Sequence, residues 1–140
     1  MIFLDTNVIS ELMREESDGT VARWLDQQVA ASVWTTSVVE MEIRYGIESL
    51  TVGRRREALK RTFEKFLEDV IEFRVAAFDR PAAQAAAELM AERRRRGRPG
   101  EIRDTLIAGI ALASNATIAT RNVAHFTDLS INVVNPWEKL

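Results

Sequence analysis

The chain has 140 residues, of which 46% are hydrophobic and 29% charged. That is enough for one ordinary core and too little for two, so a single domain spanning residues 1–140 is expected. With no cysteine, disulfides, thiolate metal sites and cysteine nucleophiles are excluded, and the single histidine, His125, excludes a multi-histidine metal site. No apolar run nears the roughly 20 residues that cross a bilayer. Met1 to Asp5 lacks the basic start and long apolar core of a signal peptide, so the expectation is a soluble, cytoplasmic protein with no membrane contact. The net charge of −2 conceals polarity: residues 1–50 carry 3 basic and 9 acidic side chains, residues 51–100 carry 13 and 8. A basic middle block suits a polyanionic partner, or two solvated arginine-rich helices.

In chain order, Met1 to Leu4 is a short apolar run that ends in Asp5-Thr6-Asn7, which predicts a buried strand stopping at a polar turn, with a helix from Thr6. Ser17-Asp18-Gly19 signals a second start, followed by Val21, Trp24, Leu25 and Gln28 at helical spacing. Ala31 to Thr35 leans towards strand, and Ser37 opens a helix. After Gly53, residues Arg54 to Val70 place Leu59, Phe63, Phe66, Leu67 and Val70 on one side, the pattern of an amphipathic helix. Phe73 to Phe78 reads as a strand. Pro81 suits a first helical turn, and the alanine-rich stretch to Arg96 favours helix. Gly97-Arg98-Pro99-Gly100 breaks the chain. Glu101 to Ala113 is apolar nearly all round after its first turn, a helix buried on most sides. Thr117 to Thr120 and Ile131 to Val134 are the remaining strand candidates. Short apolar runs alternating with helices imply an α/β fold with a parallel sheet covered on both faces.

In such sheets the functional crevice lies beyond the carboxyl ends of the strands, and Asp5 stands at one. Alone it reads equally well as a helix cap. Ser37-Val38-Val39-Glu40 fits a capping box, which occupies Glu40. Glu42 has no such task and lies within or beside the apolar stripe of Val39, Ile43, Ile47 and Leu50, where a carboxylate is costly unless compensated. Asp104 opens the buried 101–113 helix, where the helix dipole favours an acid. Glu101, one turn earlier, reads as a first-turn helix residue. Three separated acids on an α/β scaffold suggest a hard divalent cation, which takes oxygen ligands and needs neither histidine nor cysteine.

Leu4-Asp5-Thr6-Asn7-Val8-Ile9-Ser10, Glu42-Ile43-Arg44-Tyr45-Gly46-Ile47, Asp104-Thr105-Leu106-Ile107-Ala108 and Ile118-Ala119-Thr120-Arg121-Asn122 resemble, in order, the four signature segments of PIN-domain ribonucleases. With Asn135-Pro136-Trp137 near the end, the likeness covers essentially the whole chain and is similar to the VapC/FitB toxin branch. The resemblance implies a three-layer α/β/α sandwich around a parallel sheet of four or five strands. It places Asp5, Glu42 and Asp104 as ligands of Mg2+ or Mn2+. Asn122 stands where the family often has aspartate, and Thr6, Asn7 and Thr120 match polar neighbours of the site. The implied activity is metal-dependent endoribonuclease cleavage by the toxin of a type II toxin–antitoxin pair. Its implied partners are the RNA substrate, a small cognate antitoxin, and a second copy in a homodimer or a larger toxin–antitoxin complex. The alternative is a non-catalytic PIN-like module binding RNA or protein, which the uncharged Asn122 keeps open but which ranks well below, because the loss of one acid is less damaging than the loss of three. Phosphotransfer on Asp5 ranks last, because Asn7 stands where such enzymes carry a second aspartate.

Arg93, Arg94, Arg95 and Arg96, with Arg98, are expected to form a phosphate-contacting rim, unless they serve only the negative end of a helix. Arg54, Arg55, Arg56, Lys60 and Arg61 make a second patch, and Arg44 and Arg121 adjoin the motif positions. His125 reads as a surface or capping residue, and Trp24, Trp34 and Trp137 as packing. Leu12, Trp24, Leu59, Phe63, Phe66 and Leu67 are candidates for an exposed apolar groove.

Overall fold

The computed structural model describes residues 1–138. Five parallel strands form one sheet: β1 (Ile2–Leu4), β2 (Val33–Thr36), β3 (Val75–Ala76), β4 (Thr117–Ala119) and β5 (Val133–Val134), in the spatial order β3-β2-β1-β4-β5. Among the described residues six α-helices connect them: α1 (Thr6–Met13), α2 (Thr20–Asp26), α3 (Ser37–Glu48), α4 (Arg54–Asp69), α5 (Arg80–Arg95) and α6 (Ile102–Ser114). Both layers of helices cover the sheet, so the central strand is apolar on both faces: Phe3 and Leu4 are 1% and 0% exposed. The result is the three-layer α/β/α sandwich expected from the sequence. No helix among the described residues is long and apolar enough to cross a membrane.

The order of the strands decides where a site can lie. The chain builds outward from β1 through β2 to β3, then returns to the other side of β1 for β4 and β5. The direction reverses between β1 and β4, which opens a crevice at their carboxyl ends. Asp5 directly follows β1, and its N–H donates to the carbonyl of Ala119, the last residue of β4, at 2.9 Å.

Several local expectations shift. Thr36, not Ser37, caps α3: its hydroxyl accepts from the Val39 N–H at 3.1 Å. Ser37 instead accepts from the Phe78 N–H, and Glu40 accepts from Arg44, so there is no capping box. A 3-10 turn at Ala30–Ser32 delays β2. The strand expected over 73–78 shrinks to two residues because Glu72 and Phe73 adopt left-handed φ angles of 48° and 56°, which end extended pairing before it starts.

Phe63, Phe66 and Leu67 of α4 face inward at 0%, 6% and 1% exposure, and Leu12, Trp24 and Leu59 pack partly buried against them. These residues therefore build the core rather than an open groove, each fully buried large side chain contributing about 1.5–3 kcal/mol. Trp34 and Trp137 also pack at the edge of the core. Helices α5 and α6 approach so closely that a Cβ at Gly109 would lie 2.7 Å from the Ala86 Cβ. Glycine is needed there for contact, not for its backbone freedom.

Candidate active site

The site starts from Asp5, 6% exposed at the crevice. A buried carboxylate needs fixed donors, and three neighbours provide them. The Thr6 N–H donates to Oδ1 at 2.8 Å, the Thr120 hydroxyl to Oδ2 at 2.7 Å, and the Asn7 amide to Oδ2 at 3.4 Å. Asn7 Oδ1 in turn accepts from the Arg121 N–H, and Thr120 Oγ1 accepts from the Asn122 N–H, both at 3.0 Å. The ends of β1 and β4 are thereby tied into one polar network around one carboxylate. Asn122 joins it through its backbone, while its side chain is exposed.

Glu42 on α3 and Asp104 in the first turn of α6 face the same place. Burial, followed by the repulsion of Asp5, raises the pKa of both carboxyls; Glu42 also feels Asp104 and Glu101, and Asp104 also feels Glu101. Arg103 offsets part of this for Glu42 from 3.8 Å, and His125 does so for Asp104 from 2.8 Å, Nδ1 to Oδ2. Glu101 is the N-cap of α6, accepting from the Asp104 N–H at 3.1 Å, so the fourth nearby acid has a structural task.

Among the described residues no three acid or histidine side chains close into a finished metal cage. The donor set nonetheless fits a hydrated hard cation: every candidate ligand is oxygen, and Mg2+ usually keeps several waters. The Thr6 hydroxyl, next in sequence to Asp5, is buried without a hydrogen-bond partner among the described residues, as suits a site completed by solvent or ligand.

Beside Asp104 opens a cleft of about 720 Å³, lined by His125, Arg96, Arg98 and Asp128 among others. His125 thus lies at the site, not merely on the surface. A 3-10 turn over Val123–Phe126, closed by the His125 N–H on the Asn122 carbonyl at 3.0 Å, brings it there. Its spacing three residues after Asn122 was the one available signal.

The arginines divide sharply. Arg93 is 4% exposed and paired with Asp128, so it is no part of an exposed rim. Arg44 is held by Glu40 and Glu64 at 2.8 Å each and lies over the Phe63 ring, which makes it a strut between α3 and α4 instead of a free phosphate contact. Arg95 and Arg96 share Glu92 in exposed pairs that cost little to break. Arg94 and Arg98 are exposed, and Arg121 stacks over Trp137 with its guanidinium carbon 4.8 Å from the ring centre. In the α4 patch, Arg56 and Lys60 are engaged by Glu48.

The PIN domain profile matches residues 2–130. The plasmid stability protein StbB of Pseudomonas syringae pv. tomato is 41% identical over 99% of this chain and 99% of its own. The VapC ribonuclease Y4jK of Sinorhizobium fredii is 34% identical over the same shares. Toxin FitB of Neisseria gonorrhoeae is 31% identical over 98% and 99%, and the crystal structure of FitAcB from that organism superposes with a TM-score of 0.89 over 99% of this chain and 100% of that one. A five-stranded parallel sheet with Asp5, Glu42 and Asp104 about its crevice, and relatives aligned from end to end, make this chain a member of the PIN domain family, among the StbB, VapC and FitB proteins.

Proposed function

We propose that the protein is a metal-dependent endoribonuclease, the toxin of a type II toxin–antitoxin pair. One observation carries the reading: Asp5, Glu42 and Asp104, from three different elements, are buried or half-buried near the crevice where the strand order reverses, and Asp5 acts electrostatically on both of the others. Repulsion of that kind is offset when a cation or a cation-bearing substrate occupies the gap. The end-to-end likeness to relatives named as a ribonuclease and a toxin supports the choice of RNA as substrate.

Asp5, Glu42 and Asp104 would hold Mg2+ or Mn2+. When bound, the ion supplies charge stabilisation for the phosphoryl oxygens and activation of the attacking water. The chain's own residues do the rest. Thr6, Asn7 and Thr120 orient the Asp5 carboxylate, so that its free lone pairs point in a set direction. His125 orients Asp104. The cleft leading from Asp104 past His125 accepts the RNA strand, with Arg98 and Arg96 available to its phosphates and Arg94 and Arg121 as outer candidates. Asn122, lacking a charge, would orient water and not hold a second ion.

The name of toxin FitB and its solved structure as FitAcB support a partner protein, which we read as a small antitoxin; a homodimer belongs to the same proposal. Action in the cytoplasm belongs to the same proposal. The test is cleavage of RNA by the purified chain with and without Mg2+, beside Asp5→Asn. Cleavage that needs the ion and is lost in the variant is the expected result; a fully active Asp5→Asn would overturn the metal site. Metal-independent RNA binding without cleavage would support a non-catalytic module, the reading that the uncharged Asn122 keeps open.

A further inference from the structure

Arg93 sits in the last turn of α5, yet it is 4% exposed. Its guanidinium makes a two-pronged pair with Asp128, Nε to Oδ2 at 2.8 Å and Nη2 to Oδ1 at 2.9 Å. Nη2 also donates to the His125 carbonyl, and Nη1 to the Thr105 hydroxyl, both at 3.1 Å. Thr105 Oγ1 donates onward to the Glu101 carbonyl at 3.0 Å. The loop after α5 closes over the group: a Cβ at Gly100, where φ is +69°, would come within 2.9 Å of Nη1.

Burying a guanidinium and a carboxylate gives little net stability, and an apolar pair of the same volume often does as well. What the arginine adds is direction. The planar fork fixes four contacts in one plane. Two of its partners flank the acid site: Thr105 is next in sequence to Asp104, and His125 is the residue whose ring contacts Asp104 at 2.8 Å. Arg93 therefore grips the backbone of His125 and the side chain next to Asp104 at once, and Asp128 anchors the far end of the same segment.

We propose that Arg93 is a positioning residue for the active site, acting through Thr105, Asp128 and the His125 carbonyl to set the contact between His125 and Asp104. Its four hydrogen bonds all go to the protein, so it acts through the groups it holds. The proposal rests on Asp104 belonging to the catalytic site, but its structural half can be read without any cleavage.

His125 is the sole histidine of the chain, so its ring resonances in a 1H–15N spectrum identify themselves. The test compares wild type with Arg93→Lys, which keeps the charge and loses the fork, and Asp128→Asn, which keeps the shape and loses the charge. Asp104→Asn marks the ring position without its partner. Leu89→Val, a core change one turn back on α5, controls for general loosening. At one pH, the ring signals of Arg93→Lys and Asp128→Asn should move towards those of Asp104→Asn, while Leu89→Val leaves them in place. In RNA cleavage, the first two variants should lose about tenfold in kcat with KM within twofold, the scale of an outer-shell orienting contact. Unmoved ring signals, or an equal shift in Leu89→Val, would overturn the proposal. So would a moved ring with unchanged kcat. Should Arg93→Lys fail to fold, Thr105→Val removes one contact and leaves the ion pair for the same measurements. Absence of cleavage by the wild type defeats the functional reading, and the ring signals still decide whether Arg93 sets the contact.

Discussion

Two charged clusters lie on either side of the start of α6, and they are built on opposite principles. Around Arg93 the charges are matched: one guanidinium meets one carboxylate, a hydroxyl and a carbonyl, and nothing is left to bind. Around Asp5 they are mismatched, with three acids acting on one another and Arg103 and His125 offsetting only part of the repulsion. A matched cluster fixes geometry, whereas a mismatched one is where the proposed cation would be held. Proteins accept such local cost at functional sites and offset it elsewhere.

The comparison can be broken most severely at Asp5. Asp5→Asn should reduce cleavage by more than ~100-fold, beyond the usual loss for an outer-shell partner, with the fold retained by circular dichroism. Retained activity would mean that the mismatch has no catalytic purpose. On the matched side, Asp128→Ala leaves the buried guanidinium without its carboxylate. The expected loss is about 2–3 kcal/mol in urea unfolding, below the range for a wholly buried pair because Asp128 is 28% exposed.

A smaller effect of the opposite sign is expected from Glu42→Gln. Removing one of the repelling acids should stabilise the metal-free protein, by about 0.5–1 kcal/mol at neutral pH, and should weaken stabilisation by added Mg2+ in the same melt. Acid separates the clusters by sign. The folded pKa values of Glu42 and Asp104 are raised, so between those values and the ordinary carboxylate range the folded state binds more protons than the unfolded, and metal-free stability rises as pH falls. Asp128 is lowered, first by the hydrogen bond from Arg93, so its contribution is present above the ordinary aspartate pKa and is lost as pH falls through the lowered folded value. Thermal melts across this range without metal should pass through a maximum on the acid side of neutrality; a steady fall from pH 7 downward would remove the distinction. The smallest change expected is at Arg98, where substitution by alanine should raise KM for RNA about two- to fivefold and lessen its dependence on salt.

The alternation of short apolar runs with helical patterns was enough to read the layers, and Phe3 and Leu4 on the central strand illustrate why. A strand covered on both faces must be apolar throughout, so its sequence declares its place. The acids were legible for a related reason: Glu42 stands by an apolar stripe with no local partner, and only a tertiary partner could explain it. Ser37 and Phe73 were misread because each depends on one residue's backbone. Thr36 offered an equally good capping oxygen one position earlier, and the left-handed turn at Glu72 and Phe73 has no glycine to announce it.

The arginines mark the boundary between what the chain's order determines and what its folding decides. Residue types and spacing alone excluded cysteine and multi-histidine chemistry, set out the α/β layers and picked Asp5, Glu42 and Asp104 from 21 acidic residues. They did not distinguish Arg93 from Arg94, Arg95 and Arg96, four identical side chains in a row. One residue's rotation around a helix is about 100°, and that rotation turns Arg93 inward to Asp128, 35 positions later, while its neighbours face solvent. His125 reached Asp104 in the same way, through a turn that local sequence scarcely signals. Burial and charge pairing across such separations exist only once the sheet has brought the segments together, so only the tertiary structure could bury one arginine in an ion pair and leave its neighbours in solvent.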